Sequence, residues 1–259
     1  MRDPSDEDLE KVAGSLCSQI KAKVDETGAS GVVVGLSGGI DSALVCTLCS
    51  RVVDTKALLL PDVGISSGQD QKDALELCRE LDISHETIDI HDVSMEIIKK
   101  YPAKIIPGSI SDINIRPRLR MLYLYLCANE EHRLVAGTSN LTEINLGYCT
   151  KWGDNAADFL PIAELWKTEV TRMANVLGIP KNIVDKKPSA GLYFGQTDEG
   201  ELGAGYDVLD DILYEYTVCM STRSELYKRH GKELVDSVIS LMERNCHKRT
   251  MPQSLEVQL

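Results

Sequence analysis

The stretch VVVGLSGGIDSALV, residues 32–45, constrains the fold of this chain more than any other part of the sequence. Three valines lead into the glycine pair Gly38-Gly39, and a helical pattern begins at Ile40. Glycine permits positive φ angles and close backbone approach, and the N–H groups at the start of a helix attract anions. The stretch therefore predicts a strand, a phosphate-binding loop and a helix.

This loop differs from the two commonest phosphate-binding loops. No Gly-Lys-Ser/Thr closes it, as in a Walker A loop, and it lacks the GxGxxG pattern of dinucleotide sites. The segment SGGIDS, from Ser37 to Ser42, instead resembles the SGGxDS motif of the PP-loop ATP pyrophosphatases. Those enzymes hold the β and γ phosphates of ATP and cleave between the α and β phosphates, which adenylates an acceptor.

The residue types in the loop suit that chemistry. The hydroxyl groups of Ser37 and Ser42 donate hydrogen bonds to phosphate oxygens, and Asp41 offers the hard oxygen ligand that Mg²⁺ prefers. An ordinary tight turn between a strand and a helix would require neither the two serines nor the aspartate. The loop therefore favours a site for ATP and Mg²⁺.

Strands and helices are predicted to alternate through the first half of the chain. Strands are expected at 31–36, 55–60, 85–90 and 133–136, and helices at 5–27, 40–53, 66–81, 93–100 and 116–131. This alternation indicates βαβ units and hence an α/β fold, a Rossmann-like parallel sheet flanked by helices.

The pattern changes after Gly137. Residues 138–164 show no convincing period, and such long irregular stretches in compact domains are usually functional. Helices are expected again at 165–177, 202–216 and 232–245, with a second irregular stretch at 186–200 that is a candidate lid. With no repeat or linker in the sequence, we predict one domain over residues 1–259.

Charge and hydropathy narrow the possible partners. The chain has 28 Lys and Arg against 40 Asp and Glu, a net charge of −12, which disfavours binding to a nucleic-acid backbone. No stretch reaches the ~18 apolar residues of a membrane span, and the acidic N-terminus does not resemble a secretory signal. We therefore expect a cytoplasmic protein that acts on a small phosphorylated molecule, with no nucleic-acid or membrane partner.

The eight cysteines are expected to be buried thiols rather than disulfides. Cys46 and Cys49 have the spacing of a redox or metal pair, but they lie in an apolar helical run without a second such pair or a nearby histidine. Core packing is the favoured interpretation. The alternative is that they serve sulfur transfer, because some sulfur-transfer enzymes share the SGGxDS loop.

The loop alone leaves GMP synthetase, asparagine synthetase, tRNA-modifying enzymes and NAD synthetase open. Further blocks narrow the choice: GTSNLTE at 137–143, GYCTKWGD at 147–154 and ADFLPI at 157–162 resemble, in the same order, three blocks of the NAD synthetase family. Similar blocks are RPRLRM, LWKT, KPSA, GQTDE and the dipeptide His247-Lys248. The resemblance extends from about residue 8 to residue 252.

The resemblance implies a reaction and a fold like that of the adenine nucleotide alpha hydrolases. ATP adenylates the nicotinate carboxylate of deamido-NAD, and ammonia then displaces AMP to give NAD. Only one helix precedes the loop, so no glutaminase domain is expected, and ammonia comes either free or from a separate glutaminase subunit. The resemblance also implies a homodimer with deamido-NAD near the subunit interface.

Site residues follow from position within the matching blocks. The resemblance assigns ATP binding to Gly35, Leu36, Ser37, Gly38, Gly39, Ile40, Asp41, Ser42, Thr138, Lys167 and Ser189. It assigns deamido-NAD binding to Arg118, Lys151, Asp158, His247 and Lys248, and Mg²⁺ binding to Asp41 and Glu143. Asp41 and Lys167 are the expected catalytic residues, together with Asp154, which would position or deprotonate ammonium.

Three positions depart from the family pattern. Ser189 stands where threonine is more common, although it keeps the hydroxyl group. Pro117 replaces a small residue, and proline fits the first turn of a helix. Cys149 replaces a residue that is commonly aromatic, which affects local packing rather than the chemistry.

Two other functions remain open from the sequence. A PP-loop sulfur transferase acting on tRNA would use Cys46 and Cys49, but the acidic charge disfavours it. A nucleotide-binding protein without activity would not need Asp41, Glu143 and Lys167 together.

Overall fold

The computed structural model describes residues 4–189, 191, 193, 196–252 and 254. Within these residues a sheet of four parallel strands forms the centre of the fold, in the order β3-β2-β1-β4. The strands are β1 (Gly31–Gly35), β2 (Thr55–Leu59), β3 (Ser84–Thr87) and β4 (Arg133–Val135). The expected α/β class with a parallel sheet is confirmed.

Helices cover both faces of this sheet. In chain order they are α1 (Asp6–Thr27), α2 (Ile40–Ser50), α3 (Gly68–Glu80), α4 (His91–Lys100), α5 (Ile110–Ile113), α6 (Ile115–Glu131), α7 (Leu141–Leu146), α8 (Lys167–Val176), α9 (Lys181–Val184), α10 (Asp198–Leu202), α11 (Tyr206–Thr217), α12 (Arg223–His230) and α13 (Lys232–Arg244). None of the helices described is long and apolar enough to cross a membrane.

Three clusters of buried side chains hold these layers together. One contains α1, α2 and α8 against one face of the sheet, and a second contains α6 against the other face. The third lies outside the sheet, where α7, α11, α12 and α13 pack around the fully buried Trp166. The third cluster forms one wall of the site described below.

The cysteines follow the expectation only in part. Cys46 and Cys49 are fully buried in α2, as the core-packing interpretation requires, and burial raises the pKa of the Cys49 thiol to about 12. A protonated thiol inside the core cannot act as a sulfur carrier. The expectation of burial is wrong for Cys219 and Cys246, which are exposed.

The principal differences from the sequence expectations are short helices. Five of the helices, α5, α7, α9, α10 and α12, were not expected, and α7 lies inside the stretch 138–164 that showed no period. Helices of four to eight residues contain too few turns to reveal a 3.6-residue period. Four residues of the expected lid at 186–200, namely 190, 192, 194 and 195, lie outside the described residues.

The strand order determines where a ligand binds. The chain leaves β1 towards β2 on one side, whereas β4 pairs with β1 on the other side. Such a change of direction leaves a crevice at the carboxyl ends of the two central strands, where α/β proteins bind their ligands. The loop after β1 and the loop after β4 line this crevice.

Candidate active site

The loop after β1 is held in one conformation by its own serines. The amide of Ser37 donates to Oγ of Ser42 at 3.2 Å, and this Oγ donates to the carbonyl of Gly39 at 2.9 Å. Gly39 is the N-cap of α2 and provides no side-chain cap, so the first N–H groups of α2 remain available for an anion. The loop therefore leaves backbone N–H groups that could contact a phosphate, and ATP binding by its residues stays a prediction.

Gly38 has no room for a side chain. Its φ is +82°, and an added Cβ would lie 2.2 Å from the backbone oxygen of Asp70. Lys186 secures the same contact, because its Nζ donates to the Gly38 carbonyl at 2.9 Å and pairs with Asp70 at 2.7 Å and with Asp73 at 2.6 Å. Nothing in the sequence pattern pointed to these three charged residues.

The loop after β4 approaches Asp41 from the opposite side of the crevice. Nδ2 of Asn140, the N-cap of α7, donates to Oδ1 of Asp41 at 2.9 Å. Nζ of Lys167 donates to the other oxygen of Asp41 and lies 3.7 Å from Oε1 of Glu143. The structure thus brings together three of the residues expected at the site, although they are far apart in the sequence.

Electrostatics at this centre favour a bound cation. Burial lowers the pKa of Lys167, but Asp41 and Glu143 outweigh that effect and raise it overall, so the lysine stays charged. Burial, together with the neighbouring Asp41, raises the pKa of Glu143 to about 8. A cation bound beside Asp41 would favour the charged form of Glu143, and the hard oxygen donors of the two side chains fit Mg²⁺.

A buried carboxylate behind the centre positions Lys167. Asp210 of α11 accepts hydrogen bonds from the amide of Thr168 at 2.9 Å, from its hydroxyl at 2.8 Å and from the hydroxyl of Thr142. Oγ1 of Thr142 in turn accepts from the amide of Lys167 at 2.9 Å. Asp210 thus joins α7, α8 and α11 directly beneath the lysine.

Tyr206, also on α11, completes the wall. Its ring centroid lies 5.2 Å from Nζ of Lys167, within the range of a cation–π interaction, and its hydroxyl donates to Asp198 at 2.7 Å. The sequence did not indicate Asp210 and Tyr206 as site residues. Its pattern predicts the helix that carries them but not the helices against which that helix packs.

A second group of expected residues meets around the loop 147–155. Arg118 donates to the carbonyl of Lys151 at 3.3 Å, and Lys151 in turn lies over the ring of Trp152 at 5.4 Å. Lys248 donates to the carbonyls of Gly147 and Cys149 at 2.9 and 2.8 Å. Lys248 therefore packs on this loop, with the exposed His247 next to it in the chain.

The two expected acids differ in their surroundings. Asp158 accepts from the amide of Val135 at 2.7 Å and from the hydroxyl of Tyr125 at 3.3 Å, which fixes it at the carboxyl end of β4. Asp154 accepts from the amide of Thr150 at 2.8 Å and is exposed. The loop therefore holds this carboxylate, and the protein around it desolvates the group and raises its pKa.

Two expected ATP ligands make less contact with this centre. Thr138 directly follows Gly137, which lies two residues beyond β4, and is half-buried. Ser189 is exposed, and its Oγ accepts from the nearby Gly191 amide at 3.1 Å, a local hydrogen bond. The roles of both residues stay predictions.

A parallel sheet with a phosphate loop at its switch point, two carboxylates and a buried lysine defines a nucleotide-binding enzyme of the ATP pyrophosphatase class. Within this class, the family of the chain can also be assigned. Residues 12–252 match the model of the NAD synthase family, and the chain belongs to that family.

Individual relatives agree with this assignment. The NH3-dependent NAD⁺ synthetase of Archaeoglobus fulgidus is 42% identical over 254 residues, which cover 96% of this chain and 98% of the relative. Among solved structures, the NMN synthetase of Francisella tularensis matches with a TM-score of 0.87 at 36% identity over 98% of this chain and all of that one. The NH3-dependent NAD synthetase of Campylobacter jejuni, in complex with nitrate, matches with a TM-score of 0.82 at 33% identity over 96% and 100%.

Proposed function

We propose that this protein is an ammonia-dependent NAD synthetase that converts ATP, deamido-NAD and ammonia into AMP, pyrophosphate and NAD. The observation that carries the proposal is the placement of Lys167 between Asp41 and Glu143 beside the phosphate loop. The names of relatives that match along nearly their whole length support the same reaction.

In the first half-reaction, a nicotinate carboxylate oxygen attacks the α phosphorus of ATP. A bond forms between this oxygen and the phosphorus, and the bond to the bridging oxygen of pyrophosphate breaks. The N–H groups at the start of α2 and the exposed Ser37 hold the departing phosphates, while Ser42 fixes the loop through its hydrogen bond to the Gly39 carbonyl. Lys167 stabilises the negative charge that develops around the α phosphorus.

Mg²⁺ is the metal that the donor set fits. Asp41 and Glu143 would hold it, since both offer carboxylate oxygens next to the phosphate loop. When bound, Mg²⁺ neutralises negative charge on the pyrophosphate group.

In the second half-reaction, ammonia attacks the acyl carbon of the mixed anhydride. The bond from this carbon to the bridging oxygen breaks, and AMP leaves with the bridging oxygen. The new amide nitrogen must lose one proton. Asp154 is our candidate acceptor, because the amide of Thr150 fixes its carboxylate and desolvation by the surrounding protein raises its pKa, which favours uptake of a proton. The anhydride reacts with water as well, so the segment 186–200 is expected to close over it.

Deamido-NAD would lie along the loop 147–155. Arg118, Lys151 and Lys248 supply positive charge that suits its diphosphate and carboxylate groups. His247 and Asp158 flank the same region and are the remaining candidate contacts.

Arg118 also lies on the helix that we expect to form a homodimer interface. On α6 it shares one exposed face with Leu122 and Leu126, which are 49% and 50% exposed at i+4 and i+8. Exposed apolar side chains on one helix face suit a subunit interface. A second subunit would then border the deamido-NAD site.

The compartment and the domain boundary complete the proposal. We assign the enzyme to the cytoplasm, because its cysteines are free thiols and reducing compartments preserve thiols. We assign the whole of residues 1–259 to one catalytic domain that takes ammonia from solution or from a separate glutaminase subunit.

A second acceptor is favoured by one observation, the likeness to a structure named NMN synthetase. Nicotinate mononucleotide carries the same carboxylate as deamido-NAD but lacks the AMP half. Amidation of the mononucleotide would need the same adenylation centre and fewer contacts along the loop 147–155.

Purified protein with ATP and Mg²⁺ tests these alternatives directly. Deamido-NAD and nicotinate mononucleotide are supplied in separate reactions, each with ammonium chloride or with glutamine, while NAD, NMN, AMP and pyrophosphate are measured. NAD with equimolar AMP from ammonium alone is the expected result. NMN formation at a higher kcat/KM would shift the substrate to the mononucleotide, and the absence of AMP with both acceptors would overturn the proposal.

A further inference from the structure

A group of three potential metal ligands lies on α11 and α12, outside the site described above. Asp211 and Glu215 are one turn apart on α11, and His230 is the last residue of α12. One ligand atom from each residue lies within 4.8 Å of the other two. Nε2 of His230 is 3.6 Å from Oδ2 of Asp211 and 4.0 Å from Oε2 of Glu215.

Two atoms of this group are buried without a hydrogen-bond partner. Within the part of the chain that the structure describes, they are Oε2 of Glu215 and Nε2 of His230. Glu215 is only 8% exposed, and both separations from His230 exceed hydrogen-bond length. Since buried polar atoms are rarely left unsatisfied, a third component between these side chains would resolve the arrangement.

The separations are those expected around a metal ion. Ligands bound tetrahedrally at about 2.1 Å lie about 3.4 Å from one another. The observed 3.6 and 4.0 Å therefore require only small movements of the side chains. One imidazole with two carboxylates is a donor set for a transition-metal ion of the zinc type rather than for Mg²⁺ or Ca²⁺.

The neighbouring residue supports this geometry. Nη1 of Arg229 pairs with Oε1 of Glu215, which turns the other carboxylate oxygen towards His230. Hydrogen bonds of this kind from outside a metal site orient the ligands. The arginine also offsets one of the two carboxylate charges.

We propose that Asp211, Glu215 and His230 form a binding site for one divalent transition-metal ion of the zinc type, separate from the ATP site. A bound ion joins α11 to α12. Because α11 also carries Asp210 and Tyr206, which contact α8 and Lys167, the ion stabilises the wall of the active site from behind.

Cobalt binding to the full-length protein tests the site. The protein is freed of any affinity tag, treated with a chelator and titrated with Co²⁺ in excess Mg²⁺, which occupies the oxygen-donor site at Asp41 and Glu143. We expect one Co²⁺ per chain, with a visible absorption band of nitrogen and oxygen ligation. Zn²⁺ should compete with it and raise the Tm.

Three variants distinguish the site from surface binding. His230→Gln should lower Co²⁺ affinity more than about 100-fold and abolish the rise in Tm, while the exposed control His85→Gln should retain both. Asp211→Asn provides a second ligand variant in case His230→Gln does not fold. Lack of Co²⁺ binding by the wild type, or equal binding by wild type, His230→Gln and Asp211→Asn, would overturn the proposal.

Discussion

Replacing Gly38 with alanine tests whether the phosphate loop must keep its observed path. The added Cβ would lie 2.2 Å from the backbone oxygen of Asp70, whereas ordinary contact begins at 3.4 Å. The loop or the start of α3 must therefore move by about 1.2 Å, the difference between these distances. A displacement of about 1 Å at a binding element costs on the order of 100-fold in rate, so we expect kcat/KM for ATP to fall about 100-fold.

The matched control is Gly28→Ala. Gly28 also has a positive φ, +70°, but an added Cβ there meets no atom within 4 Å. In both variants alanine must adopt a left-handed conformation, which should lower the free energy of unfolding in urea denaturation by about 1–2 kcal/mol. Only Gly38→Ala should also lose the release of pyrophosphate. A Gly38→Ala enzyme that retains kcat/KM within about threefold of wild type would refute the reasoning.

Four further predictions follow from contacts in the structure. Lys167→Met should lower the rate of AMP formation about 10²- to 10³-fold, as expected when one charged donor to the transition state is lost. Asp210→Asn should cost about 3 kcal/mol in urea denaturation, because the new amide cannot accept all three of its hydrogen bonds. Burial raises the pKa of Asp73, but hydrogen bonds from three side-chain donors outweigh burial and lower the pKa overall. The stability that this carboxylate contributes is therefore fully present above about pH 3.8 and is lost as the pH falls further. Asp73→Asn should therefore make the free energy of unfolding depend less on pH below about pH 4. The double variant Leu122→Glu, Leu126→Glu should convert a dimer into a monomer in light scattering.

Each of these predictions has a control and an outcome that contradicts it. Lys181→Met and Asp207→Asn change exposed residues and should leave AMP formation and stability near wild type. Asp92→Asn, also exposed, should leave the acid limb unchanged, and Val218→Glu adds charge to an exposed apolar position outside α6. A variant that behaves like its control would contradict the role assigned to the replaced residue. A wild-type protein that is monomeric in light scattering would contradict the predicted dimer.

The site also explains why the catalytic lysine can lie in the core. Lys167 is 5% exposed on its side chain, and a buried ammonium without partners would lose its proton. Asp41, Glu143 and the Tyr206 ring compensate for the lost hydration. Asp210 acts on the lysine through hydrogen bonds that fix the first turn of α8, which makes it a positioning residue.

The sequence alone determined the class of the fold and predicted which residues form the centre of the candidate site. The phosphate loop depends on glycines and hydroxyls that are adjacent in the chain, and buried strands depend on short apolar runs, so local patterns carry this information. The blocks at 137–143, 147–154 and 157–162 narrowed the family for the same reason. Their order and spacing are properties of the chain itself.

Only the tertiary structure decided which distant side chains meet. Lys186 reaches the Gly38 carbonyl across 148 residues, and Asp210 binds Thr142 across 68 residues. Glu215 and His230 face each other because of the way α11 packs against α12. Such contacts follow from the rotation and packing of helices around a shared core, which no local pattern of residues records.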